Sequence, residues 1–314
     1  MFDGFLNIHK PPGISSFTAV NIVLKEIFAT TPPEKRIKLG HAGTLDPIAQ
    51  GVLVVAIGKA TKLISYVQNQ KKTYRGTFLL GVESDSEDTE TEQRPVPNAK
   101  IPTREEILAI LPEFTGVISQ RPPIYSALKV NGKKAYDLAR KGKSVALAER
   151  SIYIKRLTLL EYAFPKLELE IVCGGGTYIR SLGRDLARRL GTGAIMTALT
   201  RTAVGVFHLD DALPLVLQDQ TPPDRKPCLY YLRPLRDAVP QMPTLIYNEE
   251  NRVRLCHGIP VPLPADREWK EHERIAVLDE QGELLAIVRV TQKGLRSEVH
   301  FASLPAASGT QDAH

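Results

Sequence analysis

Residues 40–51 of this 314-residue chain read GHAGTLDPIAQG and continue into the apolar run VLVVAI at residues 52–57. The first part is a tight loop that presents one imidazole, His41, and one carboxylate, Asp46. Pro47 has no backbone N–H and biases Asp46 towards an extended conformation. The apolar run is either a buried strand or the core of a short helix. The segment therefore sets an ionisable pair beside the core, although an Asp before a Pro is also a common turn residue.

Outward from this segment, the hydrophobic pattern alternates between helical and strand periods. Helices are predicted at residues 16–28 and 179–190, with a short basic one at 133–141. Strands are predicted at residues 73–80, 153–162, 167–173, 274–278 and 284–290, the last two forming a hairpin around DEQG. Residues 83–92 read as a polar acidic loop, and residues 214–244 as a linker or domain edge. The pattern indicates a mixed α/β or α+β catalytic body followed by a small β-rich module.

Composition and charge separate this chain from several classes of protein. Hydrophobic residues make up 43% and charged residues 24% of the chain, which excludes a disordered or fibrous protein. Residues 1–80 hold ten basic and four acidic side chains, residues 81–120 hold three and nine, and residues 121–160 hold ten and two. Two basic blocks around an acidic stretch favour a polyanionic partner such as nucleic acid. Solvated protein faces have the same charge pattern, so both interpretations stay open.

Cysteine usage and hydropathy predict a cytoplasmic protein without metal or membrane contacts. Cys173, Cys228 and Cys256 are far apart and never form CxxC, which argues against a zinc site or a disulfide framework. The N-terminal sequence MFDGFLNIHKPPG has neither the basic nor the apolar region of a signal peptide. The apolar run at residues 52–57 is far too short to cross a bilayer.

The nucleotide and calcium motifs that the chain approaches are all incomplete. A GKS stretch lacks the upstream glycine of a phosphate-binding loop, because Asp137 stands there. Gly174 opens a glycine run after a strand, but Ile179 occupies the third glycine position of the dinucleotide fingerprint. The acidic run that begins at Asp85 has Glu90 where a calcium loop needs glycine. We therefore predict no cofactor.

Ordered stretches of the chain closely resemble the motifs of the TruB family of tRNA pseudouridine synthases. They are KPPGISS at 10–16, GHAGTLDP at 40–47, KKTY at 71–74, PPIYSALK at 122–129, GTYIRSL at 176–182 and LTRT at 199–202. A weaker likeness near residues 255–261 and in the late hairpin is to a PUA-type RNA-binding domain. Motifs in this order and number are far more specific than any single loop.

The resemblance implies chemical roles for three residues. Asp46 corresponds to the family's nucleophile, and Arg180 is expected to fix it and to lower its pKa. Tyr74 is expected to stack on the target base, with its hydroxyl a candidate for proton transfer. The structural alternatives are a surface position for Arg180 on the polar face of its helix and a core position in the sheet for Tyr74.

The resemblance also implies substrate-binding roles, for His41, Tyr178, Leu199, Lys10, Lys129, Lys133 and Arg140. His41 is the candidate wedge that replaces an extruded base, and the alternative is a satisfied loop histidine. Tyr178 and Leu199 are expected to wall the base pocket, although Leu199 suits the core equally well. Lys10 is expected to support the site, and the basic residues of an arm to bind phosphates.

For the whole chain, the resemblance implies an α+β (mixed α/β) body built on a large mixed, mostly antiparallel sheet with flanking helices. We expect this catalytic domain at residues 1–236 with an inserted thumb at about 121–150, a PUA-like domain at 237–304 and a disordered tail at 305–314. The expected partner is the T stem-loop of tRNA, bound by a monomer without an obligatory protein partner. A non-catalytic tRNA-binding or folding factor and a guide-RNA-dependent pseudouridine synthase are the alternatives.

The two roles expected for Tyr74 are separated by the Tyr74→Phe variant. Removing the hydroxyl leaves the ring, and stacking a base on an aromatic ring contributes about 1–3 kcal/mol. We expect a slower isomerisation with little change in RNA affinity, measured as turnover and binding on the same preparation. Unchanged turnover would eliminate the proton-transfer role and leave the stacking role standing.

Overall fold

The computed structural model describes residues 2–30, 37–126, 128–130, 132–136, 147–216, 225–259, 261, 263 and 268–301. Its strands, in chain order, are β1 (Gly4–Lys10), β2 (Leu39–His41), β3 (Gln50–Ile57), β4 (Lys72–Leu80), β5 (Val82–Glu83), β6 (Arg94–Pro95), β7 (Gly116–Gln120), β8 (Lys129–Val130), β9 (Lys133–Lys134), β10 (Arg150–Ala163), β11 (Lys166–Cys173), β12 (Ala194–Val204), β13 (Phe207–His208), β14 (Leu213–Pro214), β15 (Thr244–Ile246), β16 (Arg274–Leu278), β17 (Leu284–Thr291) and β18 (Gly294–His300). The α helices are α1 (Ser16–Thr30), α2 (Ile64–Asn69), α3 (Arg104–Ile110), α4 (Ile179–Arg189) and α5 (Glu249–Cys256). Short 3-10 helices lie at Gly58–Leu63, Leu111–Phe114, Cys228–Tyr231 and Leu235–Ala238. None of the helices in these ranges is long and apolar enough to span a membrane.

A mixed sheet of ten strands forms the body. Its order is β14-β1-β3-β12-β4-β11-β10-β7, with β2 paired to β3 and β13 paired to β12. The pairs β1/β14 and β3/β12 are parallel and the others are antiparallel. This confirms the predicted fold class, a mixed α+β fold on a large and mostly antiparallel sheet.

The apolar run after the catalytic-loop candidate is a strand because both of its faces are covered. Leu53, Val55 and Ile57 lie in the core that contains α1 and α4, on one side of the sheet. Their neighbours Val52 and Val54 lie in the core on the other side, with α2. A strand buried on both faces has no polar alternation, which is why the sequence alone did not separate strand from helix here.

The core on the second side of the body also includes residues of the C-terminal sheet. That sheet has four strands in the order β15-β16-β17-β18, and β16/β17 is the predicted hairpin. Ile287 of β17 and Phe301, which follows β18, pack in the same core as Val52 and Val54 of β3. Lys59 adds a hydrogen bond from its ammonium to the Phe301 carbonyl, at 3.0 Å. The domain boundary predicted between residues 236 and 237 stays a prediction.

Most predicted elements are confirmed, and three predictions need correction. Lys133 and Lys134 form strand β9, paired with β8, so the predicted basic helix does not include them; residues 135 and 136 are helical as predicted, and residues 137–141 lie outside the described residues. Within the acidic stretch 83–92, Ser86, Glu87 and Asp88 are buried, so this loop is not a solvated one. Residues 225–243 carry two 3-10 helices whose apolar side chains enter both cores, so they do not form a free linker. The predicted tail lies outside the described residues.

Helix α4 packs against the sheet through a glycine. A Cβ at Gly183 would lie 2.2 Å from Cε1 and 2.3 Å from Cδ1 of Phe78, a ring of β4 that is itself 1% exposed. We expect Gly183→Ala to destabilise the fold by about 1–3 kcal/mol, because overpacking a closed core outweighs the better helix propensity of Ala. Chemical denaturation measures this change.

Gly174→Ala is the matched control for that substitution. A Cβ at Gly174 would meet its nearest atom, the Tyr153 carbonyl oxygen, at an ordinary 3.6 Å. Equal unfolding free energies for the two variants would contradict close packing of α4 on Phe78.

Candidate active site

The carboxylate of Asp46 lies in the loop between β2 and β3, with 35% of the side chain exposed. The residue before it is fixed by Ser16, whose hydroxyl accepts a hydrogen bond from the Leu45 N–H (2.8 Å) and donates one to the Leu45 carbonyl (3.0 Å). The residue after it is fixed by Gly13, whose N–H donates to the Pro47 carbonyl at 2.8 Å. The turn and helix start at residues 13–16 therefore hold both neighbours of the carboxylate.

Arg180 is the second residue of α4 and only 5% of its surface is exposed. Its Nε lies 3.0 Å from Asp46 Oδ2, and its Nη1 lies 3.3 Å from Asp88 Oδ2. Nη1 also donates to the Ser86 carbonyl (2.6 Å) and Nη2 to the Tyr125 carbonyl (3.0 Å). The expected contact with Asp46 is present, and the alternative of a surface arginine is excluded. The guanidinium does not bind Asp46 bidentately, however. The contact between Nε and Oδ2 is an ion pair, and the Nε–H is not aligned as a hydrogen bond.

The net shift in the pKa of Asp46 is upward. Burial raises the pKa of this carboxyl above its ordinary value, and the nearby negative charge of Asp88 raises it further. The Arg180 guanidinium lowers the pKa of Asp46, as predicted, but it does not overcome burial. The resemblance indicated the arginine and the direction of its effect on the pKa of Asp46, but not the desolvation that outweighs it.

The acidic loop at residues 83–92 folds against α4. Asp88 accepts hydrogen bonds on Oδ1 from the Ser86 hydroxyl (2.5 Å) and from the Glu90 N–H (2.9 Å), and it presents Oδ2 to Arg180. Glu87 accepts a bond from the Ser181 hydroxyl at 2.6 Å. Sequence reasoning missed these residues. The available signal was an acidic loop in a chain that also contains a helix with arginines four residues apart, at positions 180, 184 and 188.

Tyr74 lies on β4 directly opposite Arg201 of β12, and 8% of its surface is exposed. Burial raises the pKa of its phenol, and the Asp46 carboxylate adds to that rise, whereas Arg201 opposes it by charge and hydrogen bonding. The phenol is thus a proton donor at neutral pH. Leu199, 6% exposed, lies in the same apolar cluster as Tyr74. Tyr74 and Leu199 are therefore both nearly buried in the core, which is the structural alternative to a substrate-binding role for each of them.

Two other predicted residues, Tyr178 and His41, lie shortly before Arg180 and Asp46 in the chain. The backbone of Tyr178 is bonded to the Gln120 side chain in both directions, at 2.9 and 3.0 Å, and its ring lies 4.7 Å from the Arg150 guanidinium carbon. His41 ends β2 and its buried Nδ1 has no hydrogen-bond partner among the described residues. Burial, with the positive charge of Arg201, lowers the pKa of His41.

Lys10 supports the loop that carries Asp46, and it has no exposed surface with which to touch a substrate. Its ammonium donates to the carbonyls of Pro11 and Ile14, both at 2.8 Å, and to that of Pro47 at 3.5 Å. Burial lowers the pKa of Lys10 to about 8, against the attraction of Asp46. Its expected supporting role agrees with these contacts.

The arm residues are only partly described. Lys129 and Lys133 lie in the β8/β9 hairpin, where the register pairs Lys129 with Lys134, and nothing is described of their side chains. Arg140 lies outside the described residues. In the described ranges, no three His, Cys, Asp or Glu side chains form a group that could hold a metal ion.

Comparison with known proteins identifies the class of this site. The model of the family described as "TruB family pseudouridylate synthase (N terminal domain)" matches residues 25–179. A relative from Dehalococcoides mccartyi is 41% identical over 292 residues, covering 93% of this chain and 94% of the relative. A relative from Rhodopirellula baltica is 38% identical over 260 residues, covering 82% and 74%. Both are named "tRNA pseudouridine synthase B".

Solved structures agree on the fold. The structure described as "Crystal Structure of a Cbf5-Nop10-Gar1 Complex" matches with a TM-score of 0.69 and 24% identity, covering 95% of this chain and 84% of the other. "Structure of H/ACA RNP bound to a substrate RNA containing 2'-deoxyuridine" matches with a TM-score of 0.70 and 22% identity, covering 96% and 86%. The family model and the relatives that cover most of the chain show that this protein is a pseudouridine synthase. Within that class, the chain belongs to the TruB family of pseudouridylate synthases.

The raised pKa of Asp46 predicts an acid limit on activity above the ordinary carboxyl pKa of about 4. Since the ionised form is needed, the single-turnover rate should fall as the pH falls through that pKa. Asp88→Asn removes a negative charge that raises the pKa of Asp46, so the limit should move to lower pH. Glu83→Gln, an exposed acid on the same loop, is the control and should leave the limit in place. A limit that stays unmoved in Asp88→Asn would contradict the coupling of these two carboxylates.

Proposed function

We propose that this chain is a tRNA pseudouridine synthase that isomerises the uridine at position 55, in the T-loop of tRNA. The observation that carries the proposal is the Asp46–Arg180 ion pair, 3.0 Å across, in a member of a pseudouridylate synthase family. The relatives that cover most of the chain bear the name tRNA pseudouridine synthase B, which supports tRNA as the substrate.

The proposed reaction breaks the bond between C1′ of the ribose and N1 of uracil, rotates the base, and joins C1′ to C5. The proton of C5 is lost and N1 gains one, so the product is an isomer and no redox equivalent or phosphoryl donor is consumed. Asp46 supplies the carboxylate, which attacks C6 of the base or C1′ of the sugar, or stabilises the charge at C1′.

Arg180 keeps Asp46 ionised and in place. A carboxylate that burial tends to neutralise needs a fixed cation within a few ångströms, and Arg180 is held in position independently by Asp88 and two carbonyls. Tyr74 offers its ring to the extruded base and a protonated phenol for the transfer that follows C–C bond formation. Tyr178 and Leu199 are proposed to line the pocket in which the base rotates.

A uridine inside a folded stem-loop has to be extruded, at a cost of a few kcal/mol, before the carboxylate can reach it. His41 is proposed to occupy the space that the base leaves. The arm residues Lys129, Lys133 and Arg140 are proposed to bind phosphates and to supply salt-sensitive affinity. The enzyme is proposed to act in the cytoplasm as a monomer, without an obligatory protein partner, and to recognise the T-loop by its shape.

Release of tritium from tRNA labelled at C5 of uridine tests this function directly. Unmodified tRNA should lose one tritium per molecule with wild-type protein and none with Asp46→Asn, while both proteins bind the tRNA alike. Asp85→Asn is the matched control, because Asp85 is an exposed acid paired with Arg94 and should leave release unchanged.

Each alternative gives a different result in this assay. Binding without release by the wild-type protein would identify a non-catalytic tRNA-binding factor. Release only after addition of a guide RNA would identify a guide-dependent enzyme. Full release from tRNA in which cytidine replaces uridine 55 would contradict the proposed position.

A further inference from the structure

Arg201 is the largest side chain in the described ranges that is almost completely buried, with 1% of its surface exposed. Within those ranges no carboxylate lies within ion-pair distance of its guanidinium, unlike Arg180, which has two. Removing an ion from water without an opposite charge is unfavourable unless its donors are satisfied in some other way. The side chain therefore needs a reason to be where it is.

The donors of Arg201 are satisfied by the catalytic loop and by the strand that follows it. Nε donates to the Val52 carbonyl at 2.7 Å, Nη2 to the Gly43 carbonyl at 3.0 Å, and Nη1 to the Thr44 carbonyl at 3.5 Å. Gly43 and Thr44 immediately precede the segment that carries Asp46, and Val52 lies in β3 just after it. A single guanidinium thus holds the loop on both sides of the nucleophile.

The backbone of Arg201 is fixed as closely as its side chain. Strands β12 and β3 run parallel here, with Arg201 paired to Gly51. A Cβ at Gly51, where φ is +107°, would lie 2.3 Å from the Arg201 carbonyl oxygen, so only glycine allows this approach. The strand that carries Arg201 cannot move away from the catalytic loop without breaking this contact.

On its other side, β12 pairs with β4, and the register sets Arg201 opposite Tyr74. The positive charge of the guanidinium keeps the pKa of the Tyr74 phenol from rising as far as burial alone would raise it. Arg201 therefore binds the Asp46 loop through its side chain and lies opposite Tyr74 in the strand register, between the two parts of the site that have to act on one base.

We propose that Arg201 is a positioning residue for the isomerisation, which sets the distance between the Asp46 loop and the Tyr74 phenol. It does not touch RNA, since it has almost no exposed surface. Its contribution is to the chemical step and not to substrate affinity. A displacement of about 1 Å between reacting groups can slow a reaction about 100-fold. This proposal rests on the proposed function.

The test is Arg201→Lys, which keeps the positive charge but replaces the planar guanidinium that donates to three carbonyls by a single ammonium. We expect the single-turnover rate of tritium release at saturating enzyme to fall about 100-fold. The dissociation constant for unmodified tRNA should stay within a factor of about three. Arg75→Lys on the neighbouring strand is the matched control, because the Arg75 side chain is 61% exposed and pairs only with Glu168, and its rate should not change.

A double-mutant cycle with Tyr74→Phe separates positioning from general stability. Because Arg201 acts partly through the phenol, Arg201→Lys should slow the Tyr74→Phe enzyme by a smaller factor than it slows the wild type. Rates are taken per tRNA-binding, folded molecule, with Arg201→Gln as a second variant.

A near-normal rate in Arg201→Lys would overturn the proposal, and so would equal slowing of the wild-type and Tyr74→Phe enzymes. A loss of rate matched by a loss of tRNA affinity would also contradict it. If neither Arg201→Lys nor Arg201→Gln folds, the role of Arg201 is one of stability alone. If wild-type protein releases no tritium, the proposed function fails instead, and the two failures are thus distinguishable.

Discussion

A carboxylate has to stay ionised in a place where burial favours its neutral form, and the architecture around Asp46 answers this requirement. Burial and the neighbouring Asp88 both raise the pKa of Asp46, and the Arg180 guanidinium acts against them. The arginine can do so because its other nitrogens are occupied by Asp88 and by two backbone carbonyls. The acidic loop, α4 and the segment that contains Tyr125 thus meet at one ion pair.

Two buried cations near this pair, Lys10 and Arg201, bind backbone carbonyls. Lys10 donates to the Pro47 carbonyl after Asp46, and Arg201 donates to the Gly43 and Thr44 carbonyls before it. Carbonyls can satisfy these donors without neutralising them, so the positive charge is retained close to Asp46. The cost of burying such cations is reflected in the pKa of Lys10, lowered to about 8. Rigidity of the loop and a favourable local potential come from the same side chains.

Periodic features of the chain were predictable, and features that depend on cross-sheet packing were not. The stripes of α1 and α4, the alternation in β11 and the C-terminal hairpin follow directly from local pattern. The Asp46–Arg180 contact was available through resemblance of short motifs. The burial of Asp88 and the multiple bonds of Arg201 were not, because they depend on which strands become neighbours. The net upward shift in the pKa of Asp46 was not predictable for the same reason, since desolvation is a property of the folded chain.

The β3 strand joins the chemistry to the C-terminal sheet. One set of its side chains packs towards α1, and the alternate set packs with Ile287 and Phe301. Unfolding of the C-terminal sheet would expose one face of β3, the strand that directly follows the Asp46 loop. The two sheets should therefore unfold in one cooperative calorimetric transition. A truncation that removes the last strands should abolish catalysis, in addition to any RNA contacts that those strands make.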